Sequence, residues 1–315
     1  MPSKPHFSAK RLIASEVVPG MKHGSHHRAR TLYKSVRDSS FISVSKPAGE
    51  IEPFYFGESG KQLFGCYHAP NTKAGRGCGV VLCYPMGHEY MQFHRAYRQL
   101  ARHLSRVGFP VLRFDFFACG DSAGNSEEGE IHQWLADISS AIGEMKRRSH
   151  VVKVCLAGLR LGATLSMIQG AGREDIGGMV LWDPVVSGTG YVEKLRMLHQ
   201  RMLRLAHVKQ KGDTKGDKPA EILGFRYPQS LLADVENLDL LSIEKKPADK
   251  VLVIQSDEEA DQRPLKNHLE SIPTSVDFLY CPAPHIWTWT EDFGKVAVPY
   301  EILQSVVSWV CEAYP

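Results

Sequence analysis

The chain reads as an α/β protein, a mostly parallel sheet covered by helices on both faces and carrying a helical insertion. Short apolar runs at 79–84, 111–117, 151–156, 178–182 and 251–254 are rich in β-branched and aromatic residues. Continuous runs of that length fit strands buried on both faces. Stretches with apolar residues at helical spacing separate most of them, and strands alternating with helices imply a parallel sheet. After Asp183-Pro184 the alternation stops for roughly sixty residues, too long for a plain connection.

The elements follow in order. Residues 51–56 and 62–67 alternate around Gly57-Glu58-Ser59-Gly60, which predicts a hairpin. The strand at 79–84 ends in the loop Pro85-Met86-Gly87-His88-Glu89, and a helix is expected over 93–107 from Phe93, Tyr97, Leu100, Ala101 and Leu104. Gly108-Phe109-Pro110 stops it. The strand at 111–117 leads into a loop over 118–129 and a helix over 131–145. Residues 151–156 form a further strand, with a helix-forming stretch beyond residue 160. Within the insertion, 187–247, helices are expected over 191–206 and around Leu231 and Leu232. The lysine- and glycine-rich piece 209–218 between them reads as a mobile loop. An insertion at this point would lie over the strand ends where such sheets bind ligands, as a cap. The strand at 251–254, a helix over 263–270, a last strand at 276–280 and an apolar helix over 300–311 complete the core, which therefore comprises 50–186 and 248–315.

The bulk properties exclude several classes. Of 315 residues, 43% are hydrophobic and 23% charged, ordinary for a globular chain. No apolar run reaches the length of a membrane helix. The seven cysteines form no C-x-x-C pair, which fits reduced thiols in a reducing compartment. The fourteen histidines form no zinc spacing, so no metal and no cofactor is expected. Residues 1–49 hold nine Lys/Arg against two acids and read as a basic, poorly ordered extension. Phe7 and Tyr33, with Phe41, are the few aromatics among those charges, which argues against a nucleic-acid surface.

The most informative stretch is Cys155-Leu156-Ala157-Gly158-Leu159-Arg160-Leu161-Gly162-Ala163. A buried strand runs into two glycines that bracket one residue, and a helix follows at once. This is the frame of a nucleophile elbow, G-x-S-x-G, with Arg160 where the serine belongs.

With that frame, the chain order resembles the α/β-hydrolase superfamily over about residues 50–313. The loop Asp115-Phe116-Phe117-Ala118-Cys119-Gly120-Asp121-Ser122-Ala123-Gly124 is similar to the D-x-x-G-x-G-x-S-x-G loop of its serine-aminopeptidase-like branch, with Ala118 in place of a glycine. Arg95, the Cys-Gly-Asp-Ser loop, Gly-Leu-Arg-x-Gly-Ala and the Trp after the terminal His resemble the exosortase-system-associated hydrolases. That subgroup resemblance implies a bacterial cytoplasmic protein near exopolysaccharide production, and an elbow residue other than serine.

The superfamily resemblance implies Asp257 as the acid and His285 as the general base. It also implies oxyanion donors at the backbone N–H of Leu161 and of Met86 or Gly87. Glu258, Glu259 and Asp261 compete with Asp257. Arg160 cannot attack a carbonyl, because its guanidinium stays protonated and has no lone pair to offer. It could instead pair with a carboxylate such as Glu89 and close the site, or clamp the anionic group of a ligand at the helix N-terminus.

Ser122 lies in a second G-x-S-x-G, followed by a polar loop rather than a helix; Cys119 is a further candidate nucleophile. Three readings follow. One is an ester, thioester or amide hydrolase in which His285 and Asp257 activate water while Arg160 holds the substrate. The second is a non-catalytic relative binding a small acyl or anionic ligand, or a partner protein. The third is hydrolysis through Ser122 or Cys119.

Overall fold

The computed structural model describes residues 50–72, 76–207, 219–283 and 298–315. The expectations for the basic extension, for the lysine-rich piece 209–218 and for His285 fall outside these residues.

Eight strands form the main sheet: β1 Ile51–Phe56, β2 Leu63–His68, β3 Cys78–Cys83, β4 Val111–Phe114, β5 Lys153–Leu159, β6 Ile176–Trp182, β9 Lys250–Gln255 and β10 Ser275–Tyr280. Their spatial order is β1-β2-β4-β3-β5-β6-β9-β10. The first hairpin is antiparallel, and β2 also runs antiparallel to β4. Every pairing from β4 to β10 is parallel. The inner strands are buried along their length because helices cover both faces, which accounts for their continuous apolar composition.

Helices α1 Gly87–Arg106 and α7 Tyr300–Ala313 cover one face. Their Phe93, Tyr97, Leu104, Ile302 and Val306 pack with Val80, Leu82 and Val180. Helices α2 Ile131–Ser149, α3 Leu161–Gly170 and α6 Arg263–Glu270 cover the other, where Trp134, Ile138, Leu165 and Leu269 meet Val81, Leu156 and Leu181.

Two departures from the sequence reading position the site. Helix α1 begins at Gly87 rather than near Phe93, so Glu89 stands in its first turn, where the helix dipole favours an acid. The strand expected over 111–117 ends at Phe114, and the chain turns away so that Phe116 and Phe117 join the α2 side of the core.

Between β6 and β9 lie α4 Gly188–Leu205, the two-stranded hairpin β7 Ala220–Ile222 and β8 Phe225–Tyr227, and α5 Gln229–Glu236. The hairpin had no sequence signal. Its strands are three residues each, and its two-residue turn is Leu223-Gly224 with both φ positive, at 53° and 84°. Leucine rarely adopts that conformation. Here the Leu223 N–H is held at 3.1 Å by Nδ1 of buried His199 from α4.

Candidate active site at the elbow

Arg160 sits between the end of β5 and the first turn of α3 with φ 51° and ψ −122°, a strained strand-to-helix turn. The bracketing glycines have a steric reason. A Cβ on Gly158 would collide with the backbone of Ala163, and one on Gly162 with the carbonyls of Cys83 and Tyr84. The turn is built for close approach of strand and helix, whatever residue it presents.

The presented side chain is buried, 6% exposed. Its Nε donates to Glu89 Oε1 at 3.2 Å, and Glu89 Oε2 accepts the Tyr191 hydroxyl at 2.8 Å. Its Nη1 reaches the Asp183 carbonyl at 3.5 Å and stands 4.0 Å from Asp257 Oδ2. The guanidinium lies 5.5 Å from the centre of the Tyr191 ring. Burial alone would push the Arg160 pKa down, but Glu89, with Tyr191, Asp183 and Asp257, outweighs it and holds the guanidinium above its usual value. The space left between His88, Glu89, Gln92, Arg160, Tyr191 and Lys194 is about 10 Å³, room for about one water and for no ligand.

Asp257 follows β9 at its C-terminal end. Its Oδ2 accepts Lys194 Nζ at 2.9 Å and its Oδ1 the Glu259 N–H at 3.0 Å. Behind it, fully buried Asp183 accepts the Ser256 and Asp257 N–H groups at 2.7 and 3.2 Å and the Ser256 hydroxyl. Burial pushes the Asp183 carboxyl up from its ordinary value against those hydrogen bonds. The structure thus brings Arg160, Glu89 and Asp257 together. Tyr191, Lys194 and Asp183 complete the cluster and were not singled out from sequence. Tyr191 and Lys194 come from one face of α4, and nothing in their spacing ties them to the elbow.

Leu161 opens α3, so its N–H belongs to the unpaired first turn that points at the elbow. Met86 and Gly87 line a separate cavity of about 320 Å³ beside the elbow. Its walls carry the aromatic rings of Tyr84, Tyr90, Phe116, Trp134, Phe225 and Tyr227, with Cys119 and Asn125 among the polar groups. Neither Arg160 nor Leu161 lines it. Burial pushes the Cys119 thiol up to about 12, which keeps it protonated. Ser122 lies outside this cavity. Its hydroxyl donates to the Asp115 carbonyl at 2.6 Å and accepts the Phe64 N–H at 2.8 Å, pinning the loop to β2. Among the described residues no group of three or more His, Cys, Asp or Glu is placed to hold a metal ion, and no helix is long and apolar enough to cross a membrane.

The profile of the serine aminopeptidase family, S33, matches residues 79–311, from β3 through the elbow and α4 to α7. The chain belongs to this family. Its fold is that of the α/β hydrolases, and solved structures agree. Est1E from Butyrivibrio proteoclasticus, with ferulic acid bound, superposes with a TM-score of 0.60 at 16% identity, over 82% of this chain and 98% of its own. An esterase of Pyrococcus furiosus gives 0.56 at 16% identity, over 84% and 92%. Mouse alpha/beta hydrolase domain-containing protein 10 gives 0.53 at 17% identity, over 83% and 99%. At these identities the likeness concerns the fold alone. Comparison with curated protein sequences found no match.

Proposed function

We propose that this α/β hydrolase-fold protein binds a small, largely apolar acyl or aromatic ligand in the cavity beside the elbow and forms no acyl-enzyme at residue 160. The observation that carries this reading is the Arg160–Glu89 pair. A side chain without nucleophilic lone pairs stands at the nucleophile's position, and its partners leave no room for a scissile carbonyl. The larger cavity has the volume and the aromatic lining of a ligand site. In this reading residues 187–247 form a cap, and Phe225, Tyr227 and Leu231 are its contribution to the cavity wall. The subgroup resemblance to exosortase-associated hydrolases, with its cytoplasmic setting, belongs to the same reading and is supported by the short motifs alone.

A second reading is favoured by one observation. Asp257 follows β9, and its Oδ2 lies 4.0 Å from Arg160 Nη1, which fits the role of an acid. With His285 as base, water could be activated directly against an ester, thioester or amide, with Arg160 steadying negative charge.

The two are separated by initial rates on p-nitrophenyl esters and acyl-thioesters for wild type, His285→Ala and Arg160→Ser, with calorimetric binding of the same compounds. Binding without turnover in wild type supports the first. Turnover in wild type that vanishes in His285→Ala overturns it in favour of a hydrolase with His285 as base, attacking through water, Ser122 or Cys119.

A further inference from the structure

Arg113 is a buried cation with neutral partners. It lies on β4, 7% exposed, on the sheet face covered by α1. Its Nε donates to His68 Nε2 at 3.1 Å and its Nη1 to the Tyr84 hydroxyl at 2.8 Å. Because His68 Nε2 accepts, its proton sits on Nδ1, which is buried and has no hydrogen-bond partner among the described residues. Burial, with Arg113 next to it, lowers the His68 pKa to about 4, so the imidazole is neutral and gives the guanidinium no counter-charge. Among the described residues no carboxylate stands within ion-pair distance of Arg113 or of Arg98. A buried guanidinium without an anion is costly, and such groups are ordinarily paired.

Both arginines line a cleft of about 300 Å³ that also contains Asp115 and Asp121. Asp115 is held in place by the Tyr90 hydroxyl at 2.9 Å and the Asp121 N–H at 3.0 Å, so it does not swing across to Arg113. The cleft therefore presents two cations and two carboxylates held apart from one another. Ile51, Phe64 and Phe114 supply an apolar surface in the same cleft. Tyr84 and Tyr90 line both this cleft and the cavity beside the elbow, so the two are neighbours with a tyrosine wall in common.

We infer that this cleft is a binding site for a small zwitterion, a carboxylate and an ammonium on a short apolar body. The carboxylate completes the pairing of Arg113 and Arg98, the ammonium faces Asp115 and Asp121, and the apolar body lies on Phe64 and Phe114. A simple anion of high charge, such as phosphate, is disfavoured by the two aspartates. This inference is independent of what happens at Arg160.

The test is calorimetry on the full-length chain with L-leucine as the probe zwitterion. Isocaproate and isoamylamine, which are leucine without its amine and without its carboxylate, serve as half-ligands, and inorganic phosphate as the anion control. Leucine should bind, with each half-ligand weaker by about tenfold or more, the effect of losing one charge-assisted contact. Arg98→Ala and Asp121→Asn change exposed side chains, and each should weaken leucine by about fivefold to tenfold. Arg113→Gln should lose binding. No heat with leucine up to its solubility limit overturns the proposal. So does leucine affinity unchanged in both surface variants, or phosphate binding more tightly than leucine.

Discussion

Arg160 Nε stands 3.2 Å from Glu89 Oε1, so the residue at the elbow is tied to the first turn of α1. Both side chains are almost fully buried, and the Tyr191 hydroxyl takes the second carboxylate oxygen. A buried pair of this kind is far more costly to break than to omit. Glu89→Gln should therefore destabilise the chain by about 3–5 kcal/mol, while Glu89→Leu combined with Arg160→Met should come out close to wild type. Urea unfolding of the three proteins measures both; equal losses in single and double variants would contradict a charge-pair account.

The position of Gly87 gives a second expectation. It opens α1 at φ +60°, and a Cβ there would collide with the Tyr227 hydroxyl in the cavity wall. Gly87→Ala should push Tyr227 into the cavity and weaken an aromatic ligand by about tenfold or more, through strain and lost volume. Affinity of p-nitrophenol or a related aromatic, measured by calorimetry, checks this; an unchanged value would mean that the cavity is not the ligand site.

Acidity bears on the loop that forms the other wall. Asp137 on α2 accepts the Phe117 N–H at 2.8 Å and is buried, and burial pushes its carboxyl up to about 6. The folded pKa lies above the unfolded value, so the native state holds the extra proton between about pH 4 and pH 6. This group's contribution to stability is complete below that window and is lost as pH rises through it. Asp137→Asn removes the titration, so the variant should gain melting temperature relative to wild type from pH 4 to pH 6. A difference that is flat with pH would refute the assignment.

Ser122 and Cys119 should behave as structural groups. Ser122→Ala loses two hydrogen bonds that hold the loop to β2, and should cost about 1–3 kcal/mol of stability. The Cys119 thiol, held up to about 12, should be alkylated by iodoacetamide far more slowly than a free thiol near pH 8. Mass spectrometry of the labelled chain reads the second; rapid labelling at Cys119 would revive it as a nucleophile.

Most of the sheet was legible in the sequence because its strands are buried on both faces and stand out as apolar runs. The elbow was legible because Gly158 and Gly162 are demanded by backbone contact, independently of the side chain between them. Helix α6 begins and ends where expected, at Arg263–Glu270, with a proline in its first turn marking the start. What stayed hidden depended on tertiary placement. The Leu223-Gly224 turn needs His199, brought from a separate helix, to hold a leucine in a glycine-like conformation. Tyr191 and Lys194 reach the elbow from α4, and Glu89 does so only because α1 starts earlier than its apolar pattern suggests. A pairing between Arg160 and Glu89 was one of two options open to the sequence. Choosing it required the distance.

The most direct test of the account is whether residue 160 and its surroundings support a covalent acyl intermediate. Wild-type protein would be mixed with excess p-nitrophenyl acetate, followed at early times for a burst, and analysed by intact mass. The account predicts no burst and no added acetyl mass on wild type. A stoichiometric burst with an acetyl adduct that is lost in His285→Ala would contradict it, and would place a working nucleophile in this fold after all.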